Sequence, residues 1–274
     1  MFDIERFKTL AGCTQDELMK LLPKILSAYG YKHICISQNN YIYAKGKINI
    51  GLVAHLDTVF ANPPTDIFHD PIEHVLWSYQ GLGADDRAGI AAILEILDSG
   101  LRPWVFFCCG EEGGGIGAKV LAKQCKPNLK YLIEIDRAGI DDCVFYNCDN
   151  ADFIKYVESF GFKEQLGTFS DIFFLAPKWK CAAVNLSTGY FNEHSHIEFF
   201  NYEILENTIN KIMLMLTDPD SRKFEYIEKI AGTYCDFCNG HSGTLKPYTI
   251  MGTNDKVYLC KSCYQMLKEH LSHD

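Results

Sequence analysis

The sequence lacks any run approaching 18 apolar residues, and it lacks an excess of basic side chains. The first absence argues against a membrane-spanning helix. The second argues against sequence-independent binding of nucleic acid, because 26 Lys and Arg stand against 35 Asp and Glu and such binding requires a basic face. The opening segment, MFDIERFKTL, also lacks the basic-then-apolar pattern of an export signal. We therefore predict a cytoplasmic protein whose partners are neither membranes nor nucleic acids.

What the chain does contain is a large apolar fraction, 47% of its 274 residues, together with 12 cysteines. This length accommodates one large domain and one small domain. In a reducing compartment, cysteines act as buried thiols or metal ligands rather than as disulfides. The composition therefore predicts a globular protein with a sizeable core.

Apolar strand patterns alternate with helical patterns from residue 48 onward. The strand candidates are INIGLVAHLD, PWVFFCC, YLIEID, CVFYN and CAAVNLS, and the helix candidates include DDRAGIAAILEILDSG and NYEILENTINKIMLMLTD. Continuous apolar strands separated by helices indicate a mostly parallel sheet that is covered on both faces. We predict an α/β fold with strands of mixed direction at the sheet edges. A different segment begins near residue 228, so we predict domains at 1–227 and 228–274.

Acidic and histidine side chains follow the ends of these strands. They are His55, Asp57, Asp85, Glu111, Glu112, Asp136, His194 and Glu198. Each group alone fits a capped turn, a helix start or a solvated surface. Because the carboxyl ends of parallel strands meet at one edge of a sheet, we expect the set to converge. Imidazole nitrogen and carboxylate oxygen suit Zn²⁺, with Mn²⁺ or Co²⁺ as further possibilities.

The adjacent acids Glu111 and Glu112 suggest a dinuclear site. Two ions about 3.5–4 Å apart share one bridging carboxylate and one water. One acid of the pair then binds metal while its neighbour acts as a base towards the water. The glycines at 113–115 are expected to leave space for a substrate, and Asp57 is expected to accept the second ring N–H of His55.

Five segments of the chain resemble the co-catalytic dizinc exopeptidases, a group that includes peptidase T, the zinc aminopeptidases and related amidohydrolases. The segments are AHLDTV, GADDRAGIAA, EEGGGIGA, EIDRAG and STGYFNEHSHIEF, in the order of that family and within residues 48–215. The resemblance implies that Asp85 bridges two zinc ions. It implies that His55 and Asp136 are the other ligands of one ion and that Glu112 and His194 are the other ligands of the second ion.

The same resemblance implies a general base, Glu111, and a supporting carboxylate, Asp57. The segment TFSD makes Ser170 and Asp171 candidates for the substrate pocket, and Glu198 is a candidate for supporting the loop or a substrate amine. Only 57 residues separate Asp136 from His194, so the chain resembles a compact form without the lid domain of many relatives. Two alternatives stay open, namely His196 in place of His194, and Asp86 as a ligand rather than a helix cap beside Arg87.

The C-terminal segment contains two C-x₂-C pairs separated by 21 residues, Cys235 and Cys238 followed by Cys260 and Cys263. This spacing predicts a structural zinc site resembling a treble-clef or zinc-ribbon finger. The metal would supply much of the folding free energy of so short a segment. Five Lys stand against five Asp and Glu from Glu228 onward, which favours a protein partner or self-association over nucleic acid.

The sequence hypothesis is therefore a dinuclear zinc hydrolase of peptide or related amide bonds. We expect an exopeptidase, an aminopeptidase acting on short peptides. The alternatives are an N-acyl amino acid deacylase with the same site and a non-catalytic adaptor that uses the finger. The enzyme would hold about three zinc ions per chain and the adaptor about one.

Overall fold

The computed structural model describes residues 2–229, 235, 245–249 and 256–271. The chain divides into two compact units, Met1–Ile227 and Glu228–Asp274. The strands are β1 (Ile34–Ser37), β2 (Tyr41–Ala44), β3 (Ile48–His55), β4 (Phe68–Asp70), β5 (Val75–Trp77), β6 (Pro103–Cys108), β7 (Leu132–Arg137), β8 (Asp142–Val144), β9 (Lys163–Glu164), β10 (Ala183–Ser187), β11 (Tyr190–Phe191), β12 (Phe199–Asn201), β13 (Lys246–Thr249) and β14 (Lys256–Leu259). The helices are α1 (Ile4–Ala11), α2 (Gln15–Ala28), α3 (Ala84–Asp98), α4 (Ile116–Gln124), α5 (Ala151–Glu158), α6 (Asp171–Trp179), α7 (Tyr202–Thr217) and α8 (Lys261–Leu271).

The larger unit is built on an eight-stranded sheet with the order β1-β2-β6-β3-β7-β10-β8-β9. Its four central strands are parallel, since β3 pairs with β6 and β7, and β7 pairs with β10. Antiparallel partners flank them, because β2 runs against β6 and β8 runs against β10. The predicted α/β class, with a mostly parallel sheet and mixed edges, is confirmed.

Helices cover both faces of this sheet, and β3 shows how. Leu52 and Ala54 belong to the core that α1, α2, α3, α5 and α7 help to form, whereas Val53 belongs to a second core with α4 and α6. Successive side chains of a strand point to opposite faces, so a strand buried on both sides must be apolar throughout. Full burial of one such aliphatic side chain contributes about 1.5–3 kcal/mol.

Helix α3 packs closely on β7 because residue 89 is glycine. A Cβ atom there would lie 2.1 Å from the carbonyl oxygen of Ile135, so any larger residue would push the helix away from the strand. The close approach holds the first turn of α3, which contains Asp85, next to the carboxyl ends of the central strands.

A second sheet, with the order β11-β12-β5-β4, was not expected from the sequence. Its strands are two or three residues long, and β11 and β12 form an antiparallel pair in which Tyr190 faces Phe200. The chain between them, residues 192–198, is held at the edge of the main sheet. Within the described residues, no helix is both long enough and apolar enough to cross a membrane.

The smaller unit contains an antiparallel pair, β13 and β14, followed by α8. Cys235, Leu259, Cys260 and Cys263 are buried together there. Cys260 directly precedes α8, and Cys263 lies in its first turn. The fourth predicted ligand, Cys238, lies outside the described residues.

Candidate functional site

The polar residues singled out in the sequence meet at the carboxyl ends of the central strands. His55 is the last residue of β3, Asp136 lies near the end of β7, and the pair Glu111–Glu112 follows β6. The first turn of α3 adds Asp85, and the β11–β12 connection adds His194. Five segments far apart in sequence therefore contribute to one site.

Asp85 stands between the two histidines. Its Oδ1 lies 2.9 Å from Nε2 of His55, and its Oδ2 lies 3.1 Å from Nε2 of His194. Burial disfavours the charged form of Asp85, but the hydrogen bonds with His194 and His55 outweigh burial and hold its pKa below the usual range. An ionised carboxylate with one oxygen towards each imidazole has the arrangement of a bridging ligand.

Each histidine also has a second carboxylate near its ring. Asp136 Oδ1 lies 3.5 Å from His55 Nε2, and Glu112 Oε1 lies 3.1 Å from His194 Nε2. Donor atoms of His55, Asp85 and Glu112 also lie within 4.8 Å of one another. The side chains thus form two overlapping groups that share Asp85.

The spacing of these donor atoms fits zinc. Two ligand atoms bound tetrahedrally at about 2.0 Å from one ion lie about 3.3 Å apart, and the four separations here run from 2.9 to 3.5 Å. Glu112 Oε1 is buried and accepts no hydrogen bond from the described residues, although His194 Nε2 is near. Several nitrogen and oxygen donor atoms within 4.8 Å of one another are what a metal site requires.

Asp57 ties the acid pair to the end of β3. Its Oδ1 accepts the backbone N–H of Glu111 and its Oδ2 accepts that of Glu112, both at 3.1 Å. The predicted contact with His55 is longer, since Asp57 Oδ1 lies 3.4 Å from Nδ1. Burial by itself would raise the pKa of Asp57, but the contact with His55 and the backbone N–H of Glu111 together have the larger, opposite effect. The net result is a lowered pKa, so the carboxylate stays ionised. Asp57 therefore positions the backbone of both glutamates as well as the imidazole.

Glu111 is buried at the head of the site, with 8% of its surface exposed. Burial, followed by the negative charge of Asp136, raises the pKa of Glu111 to about 8. Burial and the charge of Asp85 raise the pKa of Asp136 to about 8 as well. A carboxyl group whose pKa lies near neutrality is suited to take up and release a proton.

The glycine run after Glu112 has a different role from the one expected. The wall of the cleft does not include Gly113, Gly114 or Gly115. Gly114 and Gly115 adopt φ of 93° and 70°, and a Cβ at Gly115 would lie 2.3 Å from the ring of Phe174. The glycines are needed for a left-handed turn and for close packing where α4 begins.

The structure also places the residues that were left as alternatives. His196 is exposed, and its ring lies 5.7 Å from that of Phe60, whereas His194 contacts Asp85. Asp86 is fully buried, accepts the backbone N–H of His55 through Oδ2 and, within the first turns of α3, accepts that of Gly89 through Oδ1. Its Oδ atoms lie within reach of a metal group with His55 and Asp136, but both oxygens already accept backbone hydrogen bonds.

Ser170, Asp171 and Glu198 are buried and are not among the residues of the cleft wall; for Glu198 this agrees with the predicted support of the loop. Ser170 and Asp171 are buried, and the Ser170 hydroxyl and the backbone N–H of Asp171 donate to the carboxylate of Glu134. Glu198, 1% exposed, accepts the backbone N–H of Gly83 at 2.7 Å and of Asp85 at 3.1 Å. Burial raises the pKa of Glu198 to about 7. These residues hold the backbone that carries the site.

Sequence reasoning missed three supporting side chains. Glu134 lies beneath the site at 0% exposure, and its signal was an acid within the otherwise apolar strand YLIEID. Tyr190 donates its hydroxyl to Asp136 Oδ1 at 3.0 Å, and Asn185 accepts the N–H of Asp136 and donates to its carbonyl oxygen. No local pattern marked Tyr190 or Asn185, because their roles depend on the neighbouring strand.

The donor atoms open into a cleft of about 420 Å³, a volume usual for small-molecule sites. We call it the acidic cleft. The residues of its wall include four candidate ligands (Asp85, Glu112, Asp136 and His194), together with Glu111, Arg137, Tyr146, Phe169 and Glu193.

The smaller unit brings three cysteines together. The Sγ atoms of Cys235, Cys260 and Cys263 lie within 4.8 Å of one another. The backbone N–H of Cys260 donates to Cys235 Sγ at 3.2 Å, and that of Cys263 donates to Cys260 Sγ at 3.4 Å. Backbone donors stabilise thiolates, which are the form that binds zinc.

No protein-family model matches the chain, and no curated protein matches it in sequence. Solved structures match its fold. Aminopeptidase PepT from Bacillus cereus aligns with a TM-score of 0.66 at 14% identity, over 77% of this chain and 96% of that one. A tripeptidase from Staphylococcus aureus gives 0.65 at 14%, over 77% and 95%. A Zn-dependent exopeptidase from Parabacteroides distasonis gives 0.56 at 14%, over 79% and 98%. The chain therefore has the fold of these exopeptidases.

Proposed function

We propose that the chain is a dinuclear zinc hydrolase that removes single residues from short peptides, acting as an aminopeptidase. The observation that carries the proposal is the position of Asp85, with one oxygen towards His55 and the other towards His194. The names of the fold neighbours, which include an aminopeptidase, a tripeptidase and a Zn-dependent exopeptidase, support the choice of reaction.

In this proposal His55 and Asp136 would hold one ion, Glu112 and His194 would hold the other, and Asp85 would contribute to both. When bound, zinc acts as a Lewis acid that polarises the carbonyl group and lowers the pKa of water. Tyr190 and Asn185 hold Asp136 in place, and Asp57 holds the backbone of Glu112. Such outer partners usually matter about 10–100-fold for metal affinity.

Glu111 is the group that moves the proton. Its carboxylate takes a proton from the attacking water while the oxygen bonds to the carbonyl carbon, and it then delivers that proton to the nitrogen of the leaving amine as the C–N bond breaks. Burial and the negative charge of Asp136 raise the pKa of Glu111 above the usual range, which favours uptake of a proton by its carboxylate. Asp57 fixes the Glu111 backbone through its N–H, so the carboxylate stays aimed at the cleft.

The test is mass spectrometry of a mixture of short peptides and N-acyl peptides after incubation with zinc-loaded protein. The Glu111→Gln protein serves as the blank. Stepwise loss of residues from the amino terminus is expected. Loss from the carboxyl terminus would change the terminus assigned, release of acyl groups would indicate a deacylase, and no difference from the blank would contradict the proposal.

A further inference from the structure

The acidic cleft contains a cationic side chain that the proposed chemistry does not use. Arg137 follows Asp136 directly at the end of β7 and lines the cleft. Its Nε is buried and donates no hydrogen bond to any described residue. Arg137 also forms no ion pair within the described part of the chain, although Glu111, Glu112 and Glu193 line the same cleft. A guanidinium without a protein partner is available to a ligand.

The backbone of Arg137 is fixed, which matters for recognition. Its carbonyl oxygen accepts the N–H of Thr188 at 2.8 Å and the Thr188 hydroxyl at 3.0 Å. Residue 137 is also paired with Ser187 in the register of β7 and β10. The side chain therefore begins from a rigid strand end, one residue from the candidate ligand Asp136. Binding a ligand orders little more than the side chain itself.

The charge of the cleft also favours this role. With two zinc ions bound, the four carboxylates of Asp85, Asp136, Glu112 and Glu111 would balance the four positive charges of the metals. Arg137 and the exposed Glu193 then add one positive and one negative charge to the cleft, so a net negative charge no longer repels a ligand carboxylate. The planar guanidinium matches a carboxylate through two parallel hydrogen bonds.

We propose that Arg137 binds a carboxylate of the substrate, so that the preferred substrates are very short peptides with a negative charge next to the scissile bond. The carboxylate is either the free carboxyl terminus of a dipeptide or the side chain of an acidic residue. A longer peptide with neutral side chains would leave the buried Nε unsatisfied. The inference rests on the proposed peptidase function.

The test measures binding without turnover. Zinc-loaded Glu111→Gln protein is titrated calorimetrically with three ligands, Ala-Ala, Ala-Ala-amide and Ala-Asp-amide. The same titrations are made with Arg137→Met and, as a matched control, Arg222→Met, each in the Glu111→Gln background. Arg222 is exposed and pairs with Asp152 outside the cleft. Circular dichroism checks that all variants are folded.

Ala-Ala is expected to bind about 10- to 100-fold more tightly than Ala-Ala-amide, the usual worth of a charge-assisted hydrogen bond. Arg137→Met is expected to remove that preference and Arg222→Met to keep it. Tight binding of Ala-Asp-amide would identify a side-chain carboxylate as the preferred source. Equal binding of acid and amide, a preference that survives Arg137→Met, or no binding of any ligand would overturn the inference. If the acid is preferred but protein with Glu111 cleaves no peptide, the carboxylate site stands and the proposed peptidase function fails.

Discussion

Asp85 is the residue on which the candidate centre depends, because each of its oxygens faces a different histidine. In our proposal, the neighbouring residue Glu112 binds metal and Glu111 transfers the proton. Glu111 and Glu112 have consecutive backbone N–H groups held by one carboxylate, Asp57, yet only Glu112 lies beside His194. Two chemically identical residues therefore have different environments and, in our proposal, different roles.

This difference predicts opposite effects for two matched substitutions. Glu111→Gln should lower kcat roughly 10²–10⁴-fold, the usual contribution of a general base, and leave the zinc content unchanged. Glu112→Gln should lower the zinc content, because a neutral amide oxygen is a poorer ligand than a carboxylate. Peptide turnover and elemental analysis of the purified proteins measure both. Loss of zinc in Glu111→Gln with retention in Glu112→Gln would show that the two roles are exchanged.

At the scale of elements, the first turn of α3 is the part that needs outside support. Asp85 and Asp86 have non-helical backbone angles there. Glu198, from the connection between β11 and β12, accepts the N–H groups of Gly83 and Asp85. Glu198 in the second sheet's connection thus fixes the backbone of the candidate ligand Asp85, which the main sheet alone would not hold in place.

Replacement of Glu198 by alanine should therefore destabilise the protein. Two buried N–H groups would lose their acceptor, which costs about 2–4 kcal/mol in the free energy of unfolding. Zinc affinity should fall with it, since Asp85 loses its fixed position. Urea denaturation and zinc titration measure the two effects. Glu193→Ala, at an exposed position on the same connection, is the control and should leave stability within about 0.5 kcal/mol. Normal stability of Glu198→Ala with only a raised KM would instead indicate contact with the substrate.

At the scale of the molecule, the larger unit concentrates negative charge in its interior. The buried acids are Asp85, Asp86, Glu111, Glu134, Asp171 and Glu198. Burial is the first cause of the raised pKa of Asp86, Glu134 and Asp171. Burying carboxylates is costly even where Arg87 and His55 are buried beside them, so cations bound at the candidate ligands would relieve part of that cost.

Removal of metal should accordingly lower the thermal stability of the protein. Chelation at pH 8 is expected to lower Tm by roughly 10 °C relative to protein with zinc in large excess over Kd. Adding zinc back should restore Tm. The difference should be smaller at pH 5.5, because protons compete with the metal for imidazole and carboxylate ligands. Differential scanning calorimetry measures this, and equal Tm with and without chelator at pH 8 would contradict the proposed metal centre.

The smaller unit gives a separate prediction about metal content. Cys260→Ser should reduce zinc from about three to about two ions per chain, because three thiolates hold a structural ion poorly when four are required. Cys181→Ser is the matched control, since Cys181 is equally buried but lies in the larger unit. Elemental analysis of both proteins decides the matter. An unchanged count in Cys260→Ser would argue against a zinc finger at this end of the chain.

Local sequence patterns determined much of this protein. The α/β class follows from the apolar strands between helices, and Thr14 and Glu17, three residues apart, form a capping box at the start of α2. The convergence of His55, Asp85, Glu112, Asp136 and His194 could be inferred, because parallel strands place their carboxyl ends at one edge. These features depend on interactions within a few residues, or on a rule that holds for every sheet of this kind.

Only the tertiary structure decided the rest. The two- and three-residue strands of the second sheet have no periodicity to detect. Glu198 was expected to support the loop or a substrate amine, but its backbone partner Gly83, 115 residues away, could not be inferred. Ser170 and Asp171 lie behind the cleft because Glu134 binds them there. Arg137 lines the cleft, and its Nε has no hydrogen-bond partner among the described residues. Such outcomes depend on which distant groups meet, and the free energy of each contact is set by the burial and charge that the complete fold creates.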